Sequence, residues 1–212
     1  MTRDEIVAQI KLLLGFRTDQ TNTVIAQIAI QQNHLEREVQ WAIYPWFLQT
    51  ERADTTALLN DERLPKPVDW IADIEEDGIW VTDTDGLENL LIKSEENKLR
   101  VTYRESDPGL PEYYASSGDY WRLFPTPDVA YALKMRYYQS DAVVTVGTNT
   151  NRWMTRAPNI LIGRVGLFMC GAASNARRDM FSAMYQESKS AIERRSFDEL
   201  TVNRQYAMGE NQ

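Results

Sequence analysis

Apolar positions along the chain change their period twice. Over residues 3–15, Ile6, Val7, Ile10, Leu13 and Leu14 fall at helical spacing and Gly15 ends the run. A polar stretch from Arg17 to Asn22 follows, and a second helix is expected over 21–44. In it Ile25, Ile28, Gln32, Leu35, Val39 and Ala42 recur at heptad-type steps, a narrow seam suited to a neighbouring helix. That seam reads as packing within the chain or, alternatively, as a contact between subunits. Pro45 stops the helix, because it lacks an N–H and disfavours helical backbone in Tyr44.

From 46 to 150 the pattern shortens. Pro65, Pro67, Gly78, Gly86, Pro108, Gly109, Pro111, Gly118, Pro125, Pro127 and Gly147 punctuate it. Extended runs are expected at 47–51, 55–59, 79–82, 98–104, 120–124 and 130–138. Two of them alternate with period two: Leu99, Val101 and Tyr103 against Arg100, Thr102 and Arg104, and Tyr131, Leu133, Met135 and Tyr137 against Ala132, Lys134, Arg136 and Tyr138. This predicts a half-buried antiparallel sheet. Residues 68–76 read as a short helix, and 87–94 fit helix or strand.

Helical spacing then returns. Pro158 suits a first turn, and Leu161, Val165, Phe168, Met169, Ala172, Ala176, Met180, Ala183, Met184 and Ala191 carry the period to about 195. Gly163, Gly166, Gly171, Ala172, Ala173, Ser174 and Ala176 permit close helix approach at the expense of helicity, so a kink is expected near Asn175 to Asp179. Residues 198–212 are polar, with scattered Phe197, Tyr206 and Met208 beside them, and read as an extended tail. The fold class expected is α+β. A helical bundle forms from the N- and C-terminal helices (1–45 with 151–197), and an antiparallel β region (46–150) is inserted in it.

Composition narrows the function classes. Of 212 residues, 43% are hydrophobic, enough to bury a core. No stretch approaches the roughly 18 uncharged apolar residues of a membrane-spanning helix, and Met1-Thr2-Arg3-Asp4-Glu5 does not open a secretory signal. The net charge of −8 is uneven: 46–150 holds 20 acidic and 10 basic residues, whereas 151–212 holds 6 acidic and 9 basic. The middle segment should repel nucleic acid, the reverse of a DNA-binding regulator.

Candidate chemistry is sparse. The single Cys170 can make no internal disulfide and no zinc cluster. The single His34 lies mid-helix, where a surface or inter-subunit role is the ordinary one. There is no phosphate loop, no Gly-x-Ser-x-Gly elbow and no Cys-x-x-Cys. Asp83-Thr84-Asp85-Gly86 offers spaced carboxylates before a glycine but lacks the distal Glu of a calcium loop. Residues 69–96 set ten acids against Lys93 alone, read as a solvated acidic surface. The aromatics of 113–138 have few basic companions, which favours a sheet core and an interface over base stacking. No catalytic constellation emerges, so no enzyme activity and no cofactor is expected.

One segment carries a resemblance. Tyr120-Trp121-Arg122-Leu123-Phe124-Pro125-Thr126-Pro127-Asp128, followed by the strand Tyr131 to Tyr138, resembles the head-to-tail adaptor (connector) proteins of tailed bacteriophages, including the tail tubular protein A class of short-tailed phages. The order of parts is similar too: N-terminal helices, an inserted β region, and a small-residue-rich helix entered at Ala157-Pro158-Asn159-Ile160-Leu161. The resemblance implies a structural virion protein at the head-tail junction, made in the host cytoplasm. It implies a ring of about twelve copies that binds the portal protein and itself and offers a platform to the tail nozzle or tail tube protein. Double-stranded DNA would pass through without specific binding, and no membrane is involved. On that reading Phe197, Tyr206 and Met208 are candidate portal contacts, Ile28 and Leu35 candidate neighbour contacts, and Asp73, Glu75, Glu76 and Asp77 candidate channel-facing acids. Two other readings stand beside it. One is a different head-tail joining, tail-completion or assembly-chaperone protein. The other is a cell-wall hydrolase using carboxylates of the acidic segment.

Overall fold

The structure, a computed structural model, describes all residues except 16–19, 39–40, 51–52, 75–77, 104–107, 171–174 and 210–212; at 53 and 202–209 it describes the backbone alone. It is α+β, with helices at both ends flanking a β region. The helices are α1 (Arg3–Leu14), α2 (Thr21–Glu36), α3 (Glu96–Thr102), α4 (Arg152–Arg156), α5 (Pro158–Cys170) and α6 (Asn175–Gly209). Two compact units are distinguished: Met1–Leu48 with Ser140–Gln212, and Gln49–Gln139.

The helical unit begins with a reciprocal cap. Thr2 Oγ1 accepts from Glu5 N, and Glu5 Oε2 accepts from Thr2 N at 2.9 Å. This satisfies donors that the first turn of α1 leaves free. Its buried face is Ile6, Val7, Ile10 and Leu14. The α5 helix is apolar almost all round, with Ile160, Leu161, Ile162 and Val165 at 0% exposure, because α1, α2 and α6 all pack on it. The closest approach is to α6. A Cβ on Gly166 would lie 2.2 Å from the Phe181 ring, and one on Gly163 would lie 2.8 Å from the main-chain nitrogen of Tyr185. Only glycine permits that spacing. A polar clamp locks the same helices. Arg164 donates to Gln31 Oε1 (3.2 Å) and to the Tyr185 hydroxyl (3.2 Å), and that hydroxyl donates to Glu38 Oε2 (3.0 Å). Burial, then the bond to Glu38, pushes the Tyr185 pKa up to about 12.

The expected second helix stops at Glu36, short of Tyr44. Glu36 is 2% exposed, and its Oε1 accepts from Trp153 Nε1 (2.8 Å), Gln32 Nε2 (3.1 Å) and Asp141 N (3.1 Å). Trp41 folds back to donate to Leu35 O at 2.6 Å. Gln32 also donates to Asp141 O (2.8 Å) and accepts from Asn151 Nδ2 (2.8 Å). The polar break in the seam is therefore a hub that fixes the segment before α4. Asn151 then caps α4 by accepting from Met154 N.

The β unit holds β1 (Ala53–Ala57), β2 (Arg63–Pro65), β3 (Trp70–Asp73), β4 (Ile79–Thr82), β5 (Glu88–Leu90), β6 (Ile92–Lys93), β7 (Tyr113–Ser117), β8 (Tyr120–Phe124), β9 (Tyr131–Met135) and β10 (Tyr137–Gln139). One sheet runs β1-β9-β4-β5 and is antiparallel throughout. A second runs β2-β8-β7-β6, with β6 parallel to β7, and β10 pairs with β3. Tyr131, Leu133 and Met135 point inward as their alternation predicts, and they meet Val81, Ile79 and Trp121 in one core. The resemblance motif supplies that core with Trp121 and Leu123, Phe124 is buried in a separate cluster with Leu99 and Ala115, and Phe124-Pro125-Thr126-Pro127-Asp128 turns the chain from β8 to β9. Asp128 Oδ1 accepts from the Tyr131 hydroxyl at 2.6 Å, which chiefly pushes that pKa up to about 12.

Three expectations need correction. Residues 98–104 were expected as strand, but 96–102 form α3. Leu99 and Tyr103, four apart, pack toward Ala115 and Phe124, while Val101 is 85% exposed. Residues 68–76 were expected as helix, but 70–73 form β3, held because β10 offers a partner strand. The tail from 198 was expected extended, but α6 continues to Gly209. The expected kink region abuts 171–174, outside the described residues, and α6 begins at Asn175.

Two predictions follow from this packing. Gly163→Ala gains about 1 kcal/mol of helix propensity but forces a Cβ into main chain, which costs typically 1–3 kcal/mol. The clash should win, and chemical denaturation should show a net loss of stability. Burial raises the Glu36 pKa above 4.5, against the hydrogen bonds that lower it. A carboxyl whose folded pKa is raised stabilises the fold below its unfolded pKa, and that contribution is lost as pH climbs through the folded value. Melting temperatures of wild type minus Glu36→Gln should therefore fall as pH rises from about 4.5. A difference flat with pH contradicts this.

Candidate interaction surfaces

Among the described side chains of α6, Ser196 is the last that is buried. Phe181, Tyr185, Ile192 and Ser196 are its buried positions, at steps that keep one face on the unit. Ser196 Oγ accepts from Trp46 N (3.0 Å) and donates to Ile192 O (2.9 Å), and Glu193 Oε1 accepts from Ala42 N (3.0 Å). Trp46 lies beneath two guanidinium groups, Arg195 at 4.2 Å and Arg156 at 5.3 Å, and Lys189 lies 5.3 Å from the Trp41 ring. Such contacts are worth roughly 0.5–1 kcal/mol each when exposed. Beyond Ser196 none of 197–201 is buried, and Phe197 is 58% exposed. The helix still runs from Phe197 to Gly209, about 20 Å at 1.5 Å per residue. Tyr206 and Met208 lie on it, with side chains outside the described residues.

The other candidates fare differently. Ile28 (3% exposed) and Leu35 (0%) are buried in their own unit. They are corrected from neighbour contacts to core, because α2 turns its seam toward α5. Asp73 is corrected from a channel-facing charge to an internal acceptor. Its Oδ1 takes hydrogen bonds from Trp121 Nε1 (2.7 Å) and Trp70 Nε1 (3.0 Å), and its Oδ2 pairs with Lys93 Nζ at 3.0 Å. Lys66 stacks over Trp70 at 3.8 Å, and burial lowers its pKa while Asp73 pulls the other way. Glu75, Glu76 and Asp77 lie outside the described residues.

The Asp83 loop is a self-capped turn. Asp83 Oδ1 accepts from Asp85 N and Leu87 N at 2.9 Å each. Among the described residues no group of three or more His, Cys, Asp or Glu is placed to hold a metal ion. His34 is exposed. Cys170 is buried, and burial raises its thiol pKa. Among the described residues no helix is long and apolar enough to cross a membrane.

A surface that sequence reasoning missed lies on the β unit. Leu58, Leu59, Leu87, Leu90 and Ile92 are exposed at the borders of β1, β5 and β6. Leu58 and Leu59 break the alternation of their run, which is the signal that could have found them.

The helical unit exposes Phe197 on the distal part of α6, and the β unit exposes the apolar borders of β1, β5 and β6. Residues 1–208 match the model of the SU10 adaptor protein family, and the chain belongs to that family. It is a phage adaptor structural protein. Among curated proteins none matches the chain.

Proposed function

We propose that this adaptor assembles as a ring of about twelve copies between the portal protein and the tail nozzle or tail tube protein, extending the channel for DNA. The observation that carries the reading is the arm. The α6 helix continues from Phe197 to Gly209 with Phe197 exposed, after Ser196, the last buried residue among its described side chains. A helix turn that exposes its apolar residues gains little from folding alone. Covering one phenylalanine is worth about 1.5–3 kcal/mol, tenfold or more in affinity. The arm is therefore the portal contact, with Phe197, Tyr206 and Met208 its apolar anchors, read as helix-in-groove docking.

The acidic β region supports passage of DNA without capture. An acidic wall repels phosphates and binds no counterion-releasing partner. Asp73 is spent internally, so exposed acids such as Asp85 carry this role, together with Glu75, Glu76 and Asp77.

The test is truncation after Ser196. Because none of 197–201 is fully buried and only Leu200 is half-buried, the truncated chain should melt close to wild type by circular dichroism and fail to co-purify with the portal protein of the same phage. Phe197→Asp should weaken co-purification about tenfold. Undiminished portal binding by the truncated chain contradicts the reading.

A further inference from the structure

Three features of the helical unit meet at one groove before α4. The first is a stretch of unpaired main chain. Residues 141–145 run without turn or bend. The ends are fixed: Asp141 N donates to Glu36 Oε1 (3.1 Å), Gln32 Nε2 to Asp141 O (2.8 Å) and Asp4 N to Gly147 O (3.1 Å). Between them, among the described residues, no hydrogen bond reaches the N–H of Val143, Val144 or Thr145, or the carbonyls of Val143 and Val144. The second feature is composition. Ala142-Val143-Val144-Thr145-Val146 sets four β-branched residues in a row, with no glycine, proline or charge, the make-up of a strand rather than of a loop. Val143 and Val146 are exposed, and such a run left open is a template for pairing.

The third feature is charge. The stretch borders a groove of about 560 Å³ whose lining includes Asp141, Val143, Thr145, Thr155 and Arg156. Asp141 is taken up by Arg152, whose Nε lies 3.5 Å away. Arg156 is exposed above the Trp46 ring and has no carboxylate partner among the described residues. The free charge of the groove is therefore positive.

We propose that residues 142–146 take up strand β1 of a second copy as an added strand, with Asp54 of that copy against Arg156. Charge and edge chemistry pick out β1. The other sheet's edge strand, β2, carries Arg63 and Pro65, a like charge and a missing donor. Beyond β5 the chain runs into Ile92 and Ser94, whose N–H groups are already bonded to Glu112 O and Tyr114 O. Strand β1 reads Ala-Asp-Thr-Thr-Ala. Ala53 and Ile79 both lie opposite Met135, and Arg136 N donates to Gly78 O, so the main chain of Asp54 and Thr56 turns away from β9. Among the described residues no hydrogen bond reaches it, and the Asp54 carboxylate, exposed, makes no ion pair. The exposed Leu58 and Leu59 that follow can cover Val143 and Val146. The two surfaces differ, so each copy gives one and receives the other, the head-to-tail contact that closes into a ring. This inference rests on the ring reading above and assigns its side-to-side contact, separate from the portal-binding arm.

The test is charge reversal, Asp54→Lys and Arg156→Glu, singly and together, read by sedimentation velocity of the full chain alone and with the portal protein. Each single reversal sets like charges together and should weaken self-association about tenfold, and the pair should restore it. Portal binding through the arm should persist in all three. Wild-type self-association by both single variants, or no restoration in the pair, overturns the proposal and leaves the ring reading standing. If a reversed chain does not fold, Val144→Pro decides. Proline there removes only a donor that is unpaired within the copy, and self-association should fall at least about tenfold; undiminished self-association overturns the proposal. A wild-type chain that never self-associates, alone or on the portal, defeats the ring reading and this inference with it.

Discussion

The helical unit depends on the approach of α6 to α5. Gly163 and Gly166 remove the side chains that would hold the two backbones apart, and Phe181 and Tyr185 fill the vacated space. Close contact converts many weak dispersion terms into one stiff joint. The joint is reinforced where Arg164 gathers Gln31 and the Tyr185 hydroxyl, and where Trp46 takes the Arg195 guanidinium. A long polar helix such as α6 has little stability of its own. Anchored over its first half, it continues as a helix past Phe197, which stays exposed.

Polar groups in both units serve as fixed joints. Glu36 receives three donors and orders the segment that leads into α4. Arg122, 6% exposed, lies between Glu62 and Glu96 and ties β8 to β2 and α3. Asp73 joins two tryptophans and Lys93. Each is held by charged or polar neighbours, and buried ions need such partners to be tolerated at all, although Arg122 Nε itself has no hydrogen-bond partner.

Much of this was legible in the sequence, and the failures have physical causes. The alternation of Tyr131, Leu133 and Met135 identified β9 because one face is buried and the other is wet. The same alternation at Leu99, Val101 and Tyr103 misled, since positions four apart on a helix also share a face and Val101 is simply exposed. Residues 70–73 became strand because a tertiary partner, β10, overrode local preference. The Phe124 to Asp128 motif marked the family correctly, yet its residues build a core and a turn, so they reveal identity without revealing the contact surface. The seam of Ile28 and Leu35 was real but internal. The segment from 198, expected as extended, is helix to Gly209, because its polar composition hides the continuity that anchoring at Ser196 imposes.

The account stands or falls on assembly at the portal. The most direct measurement is electron microscopy of the purified chain mixed with the portal protein of its own phage, followed by averaging with no symmetry imposed. The account predicts a closed ring of copies beneath the portal, with α6 arms reaching it and an open central channel. Bare portals beside free single copies, at concentrations well above those that saturate other binding, would contradict it.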